Sequence, residues 1–111
     1  MTRVALEQRL REIDALLARL DADEASLRTD RADATADDEH DPEGSTLSGE
    51  WQRVDALRRA RLDERAEVEE AIRRMDAGTY GVCVRCGDPI PPARLEARPM
   101  ATMCVACASQ T

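Results

Sequence analysis

Apolar residues recur at alternating intervals of four and three along the first part of the chain. The series consists of Leu6, Leu10, Ile13, Leu17, Leu20 and, one heptad later, Leu27. Because an α-helix turns once every 3.6 residues, this spacing gathers the apolar side chains into one stripe, as in the seam of a coiled coil. The pattern predicts a first helix over residues 3–28 that packs against a second helix.

A second apolar series follows, with a gap in its middle. Its members are Leu47, Trp51, Val54, Val68, Ile72 and Met75. Arginines occupy the positions that would continue the series between Val54 and Val68, namely Arg58, Arg61 and Arg65. Leu57 and Leu62 are expected to take over the seam there through a local shift of phase. The series predicts a second helix that ends before Gly78, a residue that favours helix termination.

The segment between the two series is acidic and nearly free of large apolar residues. Residues 21–50 hold 11 acidic residues and two arginines, a net charge of −9, whereas the whole chain carries −7. We expect a connecting loop over about residues 29–48, with the second helix beginning either at Asp41-Pro42-Glu43 or as late as Ser48. A single connecting loop makes the two helices antiparallel. The acidic loop would then form the tip of a hairpin, at the end opposite the cysteines.

Four cysteines follow the second helix as two C-x2-C pairs. Cys83 and Cys86 are separated from Cys104 and Cys107 by 17 residues. This spacing is typical of a structural zinc site, in which four thiolates surround a tetrahedral ion. A redox dithiol or a pair of disulfides is less consistent with a reducing cytosol and with the lack of a βαβ pattern. A catalytic zinc ion would need an open position and histidine or carboxylate ligands.

A short helix is predicted between the cysteine pairs, over residues 93–97, after Pro91-Pro92 and before Pro99. Arg94 and Arg98 stand four residues apart on it and would share one face. They would either brace the cysteine module internally or contact an external ligand.

Composition and charge restrict the function. The chain is 35% charged and 2% aromatic, which is typical of long exposed helices with little interior for an active site. His40 is the only histidine and lies in the acidic loop, and no nucleophile arrangement is present, so no enzyme is expected. The net charge of −7 disfavours direct DNA binding and favours a protein partner. Because neither a signal segment nor an apolar membrane span is found, a cytoplasmic protein without a membrane partner is expected.

Residues 78–107 resemble the DksA/TraR family of zinc-finger transcription regulators. The matching residues are the run Gly78-Thr-Tyr-Gly-Val-Cys83-Val-Arg-Cys86-Gly87, Ile90, the run Arg94-Leu-Glu-Ala-Arg98-Pro99, and the pair Cys104 and Cys107. The resemblance extends more weakly over the preceding helices, which are like the DksA side of the family. It implies a protein that binds RNA polymerase and inserts its coiled coil into the secondary channel. Acidic tip residues would then approach the catalytic centre and alter initiation.

The resemblance also indicates which residues would act at the tip. The tip pattern of the family is Asp-x-x-Asp-x-Ala, and Asp38 and Asp41 match its two acids, with Glu43 in place of the alanine. Asp30 and Asp33 are a second candidate pair that also lacks the final alanine.

DksA-like proteins further respond to the alarmone ppGpp through basic residues. Arg98 matches one such position, but Glu67 and Ala108 stand at others, so a complete ppGpp site is not expected.

The sequence as a whole predicts an all-α fold. It consists of an antiparallel two-helix coiled-coil hairpin over residues 1–77 and a small four-cysteine zinc-finger module over residues 78–111. The function expected from it is that of an RNA polymerase-binding transcription regulator. The alternative is a zinc-stapled coiled-coil adaptor that binds a different protein.

Overall fold

The structure is a computed structural model of the 111-residue chain that describes residues 2–37 and 43–110, without the side chains of Arg31 and of residues 33–37 and 43–47. The described residues form four helices: α1 (Arg3–Asp37), α2 (Glu43–Ala77), α3 (Pro92–Ala97) and α4 (Val105–Ala108). Within the described residues there is no strand, only an isolated antiparallel bridge between Val82 and Pro89. The predicted all-α fold is confirmed.

The chain divides into two compact units. The coil unit is Glu12–Glu64, and the cysteine unit joins Met1–Arg11 to Arg65–Thr111. In the cysteine unit, an ion pair links Arg3 at the start of α1 to Asp76 at the end of α2. This pairing of opposite helix ends shows that the helices are antiparallel here.

The coil unit has the same antiparallel pairing. The Nε of Arg58 lies 2.8 Å from Oδ1 of Asp21. The guanidinium of Arg28 lies 5.2 Å from the centre of the Trp51 ring. The numbers of the two partners add up to 79 in both pairs, so these two contacts of the coil unit obey one register.

Most of the predicted seam is buried or half-buried, but its middle is not closed by the residues that the pattern suggested. Leu6, Ile13, Leu27, Val54 and Val68 are buried. The expected phase shift is wrong, because Leu57 and Leu62 are 46% and 42% exposed. Arg61 lies midway between Val54 and Val68 at heptad spacing, so α2 keeps its phase through this arginine.

The first helix extends further into the acidic segment than predicted. The loop expected over residues 29–48 is helical up to Asp37 and again from Glu43. Residues 32–37 alternate alanine with polar residues, and the whole run 29–37 contains neither proline nor glycine, so nothing in it breaks a helix. The second helix begins near the earlier of its two predicted starts. Residues 38–42 lie outside the described part of the chain.

The end of α2 is joined to the cysteine module by one buried arginine. Gly78 has a φ of 76°, a conformation that ends the helix and suits glycine. The carbonyl oxygen of Arg74 accepts hydrogen bonds from the backbone N–H groups of Thr79 and Tyr80, at 2.8 and 3.1 Å. The Arg74 side chain is 8% exposed and donates to the carbonyl oxygens of Thr79, at 3.1 Å, and of Val82.

None of the described helices is both long enough and apolar enough to span a membrane.

Candidate metal centre

The first cysteine pair lies in a turn that is stabilised by local backbone hydrogen bonds. The backbone N–H of Cys83 donates to the carbonyl oxygen of Asp88 at 2.8 Å, and that of Gly87 donates to Cys83 at 3.0 Å. Gly87 has a φ of 79°, a conformation that suits glycine. The local hydrogen bonds thus fix the course of the chain between Cys83 and Cys86.

The second pair lies on one helical turn. Cys104 is the N-cap of α4, and its carbonyl oxygen accepts a hydrogen bond from the backbone N–H of Ala108 at 2.9 Å. Cys107 follows three residues later, so both side chains lie on the same side of the turn.

Three contacts connect the two pairs. The backbone N–H of Val84 donates to the carbonyl oxygen of Thr102 at 2.9 Å. Nε of Arg94, on α3, donates to the carbonyl oxygen of Met103 at 2.8 Å. Nη1 of Arg85 lies 3.4 Å from the carbonyl oxygen of Cys107. A small apolar core supports them, formed by Cys83, Ile90 and Cys107 with Leu95, Met103 and Cys104 packed against it.

The four sulfur atoms form a compact group. They all lie within 4.8 Å of one another, and Sγ of Cys86 is 3.9 Å from Sγ of Cys104. Zinc–sulfur bonds of about 2.3 Å in a regular tetrahedron place neighbouring sulfurs about 3.8 Å apart. All four cysteines are free thiols, and a disulfide would need sulfurs at about 2.05 Å. The donor atoms and their separations therefore fit a four-thiolate zinc ion.

The electrostatics of the group favour a cation. Hydrogen bonds from the backbone N–H groups of Cys86 and Cys104 lower the pKa of Cys83 to about 6, against the effect of burial. The hydrogen bond with the Cys104 sulfur, together with burial, raises the pKa of Cys107 to about 12. Sulfurs this close cannot all become thiolates unless a positive charge lies between them.

Comparison with known proteins identifies the module. Residues 78–110 match the family model described as the prokaryotic dksA/traR C4-type zinc finger. The chain is thus similar to this family over its zinc-finger segment. It is 52% identical over 40 residues to the RNA polymerase-binding transcription factor DksA of Caulobacter vibrioides, covering 36% of this chain and 28% of that protein. It is 54% identical over 39 residues to general stress protein 16O of Bacillus subtilis, covering 35% and 24%.

The chain therefore matches only about a quarter of the length of these curated relatives. The fold match is broader. The structure of transcription factor DksA2 from Pseudomonas aeruginosa aligns with a TM-score of 0.80 and 22% identity, covering 97% of this chain and 78% of that one. The DksA-like fold thus extends beyond the zinc finger. The family model and the sulfur geometry together give one structural zinc ion.

The structure brings together some of the residues singled out from the sequence. Arg94 is half-buried and directed to Met103, while Arg98 is exposed. Both line a groove of about 710 Å³ together with Glu67, Met100, Met103 and Ala108. Trp51 is half-buried under Arg28. Asp38, Asp41 and His40 lie outside the described residues, so their roles stay predictions.

Sequence reasoning missed two residues that organise the module. The buried contacts of Arg74 with Thr79 and Val82 depend on the turn that follows α2, which residue spacing does not reveal. Tyr80 donates its hydroxyl to the carbonyl oxygen of Pro99, 19 residues away. The signal available was that Tyr80 is the single tyrosine of a chain with almost no aromatic residues.

Proposed function

We propose that this chain is an RNA polymerase-binding transcription regulator without enzymatic activity, in which Cys83, Cys86, Cys104 and Cys107 bind the structural zinc ion. The observation that supports it best is the combination of a DksA/TraR zinc finger with two 35-residue helices in the DksA2 fold. The Caulobacter relative is named as an RNA polymerase-binding transcription factor. We extend that partner to this chain.

In the proposed mechanism, residues 1–77 form a hairpin that enters the secondary channel of polymerase. The segment 21–50 holds 11 of the 23 acidic residues of the chain and only two arginines, a net charge of −9. Asp38 and Asp41 would act at the tip on basic residues or on the metal-bound catalytic centre of polymerase, and Asp30 and Asp33 are the second candidates. Residues 78–111 would serve as the folded base of the hairpin.

No catalytic role is proposed for the zinc ion. Four thiolates close its coordination shell and leave no position for water or substrate. In the described residues, the cysteines are the one group of metal-binding side chains. The module is therefore proposed to act by folding and not by chemistry.

Neither ppGpp nor DNA is proposed as a strong ligand. Arg98 lines a groove in which Glu67 and Ala108 occupy two positions where the resemblance to the DksA/TraR family would place basic residues. One acid and one apolar residue leave this groove poorly suited to a ligand with several phosphate charges. The net charge of −7 also opposes contact with the DNA backbone. The protein would act through polymerase.

The proposal is tested by initiation assays with zinc-loaded protein and RNA polymerase on a ribosomal-RNA-type promoter. The wild type is expected to shift the yield of initiated transcript. Asp38→Asn/Asp41→Asn is expected to bind polymerase but lose the shift, while Asp30→Asn/Asp33→Asn retains it. The reverse outcome would move the tip to the second pair. If the wild type has no effect and does not bind, the adaptor alternative replaces the regulator.

A further inference from the structure

The residue that immediately precedes Cys104 is held by a side chain from α3. Nε of Arg94 donates to the carbonyl oxygen of Met103 at 2.8 Å, and the Arg94 side chain is half-buried. Its neighbour Leu95 packs against the apolar core around Cys83 and Ile90, which fixes α3 in place. Arg94 thus connects a helix anchored in the core to the backbone at the start of the second cysteine pair.

The two cysteine pairs differ in how much of their geometry is local. The first pair is closed by its own turn, through the hydrogen bonds of Cys83 with Asp88 and Gly87. The second pair begins at Cys104, whose side chain makes no capping hydrogen bond to α4. The backbone that precedes Cys104 is held by two hydrogen bonds from residues outside this pair. The backbone N–H of Val84 donates to the carbonyl oxygen of Thr102, and Nε of Arg94 donates to that of Met103. The relative position of the pairs therefore depends on these cross-contacts.

We propose that Arg94 is a positioning residue for the metal centre. By holding the Met103 carbonyl oxygen, it places the sulfurs of Cys104 and Cys107 beside those of Cys83 and Cys86 before the ion binds. A preformed site avoids the loss of chain entropy that binding would otherwise require, so zinc affinity rises. This inference rests on the proposed four-thiolate ligation and is independent of polymerase binding.

The test replaces the guanidinium without shortening the side chain. Arg94→Met is compared with Arg98→Met, which makes the same chemical change at an exposed residue four positions further on. Zinc affinity is measured by competition with a chromophoric chelator. Outer contacts that orient metal ligands are typically worth about 10- to 100-fold in affinity, and that is the loss expected for Arg94→Met. Arg98→Met is expected to stay within about twofold of wild type, and Arg94→Lys, which keeps a donor, to recover part of the loss.

A second measurement separates positioning from general stability. Zinc-loaded protein is treated with an alkylating agent and a chelator, and the order in which the cysteines react is read by mass spectrometry. Arg94→Met is expected to expose Cys104 and Cys107 first while Cys83 and Cys86 stay protected. A residue that only stabilises the fold would lower the melting temperature without changing that order. Should Arg94→Met fail to fold, Arg94→Lys is compared with wild type in both measurements.

The outcomes distinguish this inference from the ligation on which it rests. Wild-type affinity and wild-type order of alkylation in folded Arg94→Met would overturn the positioning role and leave the zinc site intact. If the wild type itself fails to bind one zinc ion and its cysteines react equally, the four-thiolate ligation is wrong and the role of Arg94 falls with it. A loss of zinc affinity in Arg94→Met, together with earlier alkylation of Cys104 and Cys107, supports both the positioning role of Arg94 and the four-thiolate ligation.

Discussion

The hydroxyl of Tyr80 donates a hydrogen bond to the carbonyl oxygen of Pro99, 2.9 Å away. Tyr80 follows the end of α2, and Pro99 follows α3, so this bond connects the entry of the cysteine module to its middle. Tyr80 also lines a small apolar cavity with Ala71, Arg74 and Met100. The phenol is thus anchored at its polar end and packed along its ring.

Removing this hydroxyl is expected to weaken the module. Tyr80→Phe keeps the ring and loses the hydrogen bond to Pro99, which should lower the free energy of unfolding by about 1 kcal/mol. Chemical denaturation of zinc-loaded protein, compared with wild type at equal protein concentration, measures the difference. Equal stability of the two proteins at neutral pH would show that the bond contributes nothing.

The same pair predicts a dependence on pH. Burial raises the pKa of Tyr80 above its ordinary value, so the neutral, donating form is favoured in the folded protein. The contribution of the Tyr80 hydroxyl to the free energy of unfolding is therefore fully present below about pH 10, the pKa of tyrosine in the unfolded chain. It is lost as pH rises through the higher pKa of Tyr80 in the folded protein. The titration of tyrosinate absorbance is expected to be shifted to higher pH in folded than in denatured protein. A midpoint equal to that of denatured protein would contradict this.

Arg74 is expected to be the most sensitive arginine at the junction of α2 and the module. Arg74→Met leaves the carbonyl oxygens of Thr79 and Val82 without their side-chain donor, which should cost about 1–3 kcal/mol of stability. The matched control is Arg73→Met, since the Arg73 side chain is 62% exposed and pairs with Glu70 at the surface. It should change stability by less than about 1 kcal/mol. Equal losses in thermal unfolding would contradict the difference in role.

Arg61 is expected to weaken the seam that it interrupts. Its Nε is buried and 3.4 Å from Oε1 of Glu64, but it makes no hydrogen bond to any described residue. Arg61→Leu restores an apolar heptad position between Val54 and Val68 and should raise stability by about 1 kcal/mol. Arg59→Leu is the control, because the Arg59 side chain is 77% exposed and should give no gain. A lower melting temperature for Arg61→Leu would show that the arginine stabilises the coil.

The main features that the sequence predicted are those governed by a repeating or local rule. Leu6, Ile13 and Leu27 are buried as their heptad spacing required, and the cysteine spacing placed four sulfurs together. Pro92 begins α3, which ends at Ala97 as predicted. These outcomes follow from helical periodicity, tetrahedral ligation and the limited backbone freedom of proline.

The features that were missed depend on contacts between distant residues or on competing local preferences. The first helix extends into the acidic segment because alanine favours helix even where no apolar stripe marks one. Leu57 and Leu62 are exposed because α2 keeps its phase through Arg61, a choice that periodicity alone leaves open. Arg94 acts on Met103, nine residues away, only once α3 is packed.

Removal of the metal tests the structural role of zinc. Among the described residues, the core of the cysteine module consists of three buried residues, Cys83, Ile90 and Cys107, and two of them are proposed ligands. Chelation, or the substitution Cys86→Ser, is expected to abolish protection from hydrogen exchange across residues 79–110 while the long helices keep most of their helical signal. Persistent protection of the module after complete removal of zinc would show that its small core is sufficient.

Binding to RNA polymerase is tested directly with zinc-loaded, fluorescently labelled protein, whose anisotropy is followed as bacterial polymerase core is added. We expect a saturable rise in anisotropy at micromolar or lower polymerase concentration, with one chain bound per core enzyme. Binding should be lost when chelation unfolds the cysteine module. A flat signal for folded, zinc-loaded protein would contradict the proposal and leave the coiled-coil adaptor as the function to pursue.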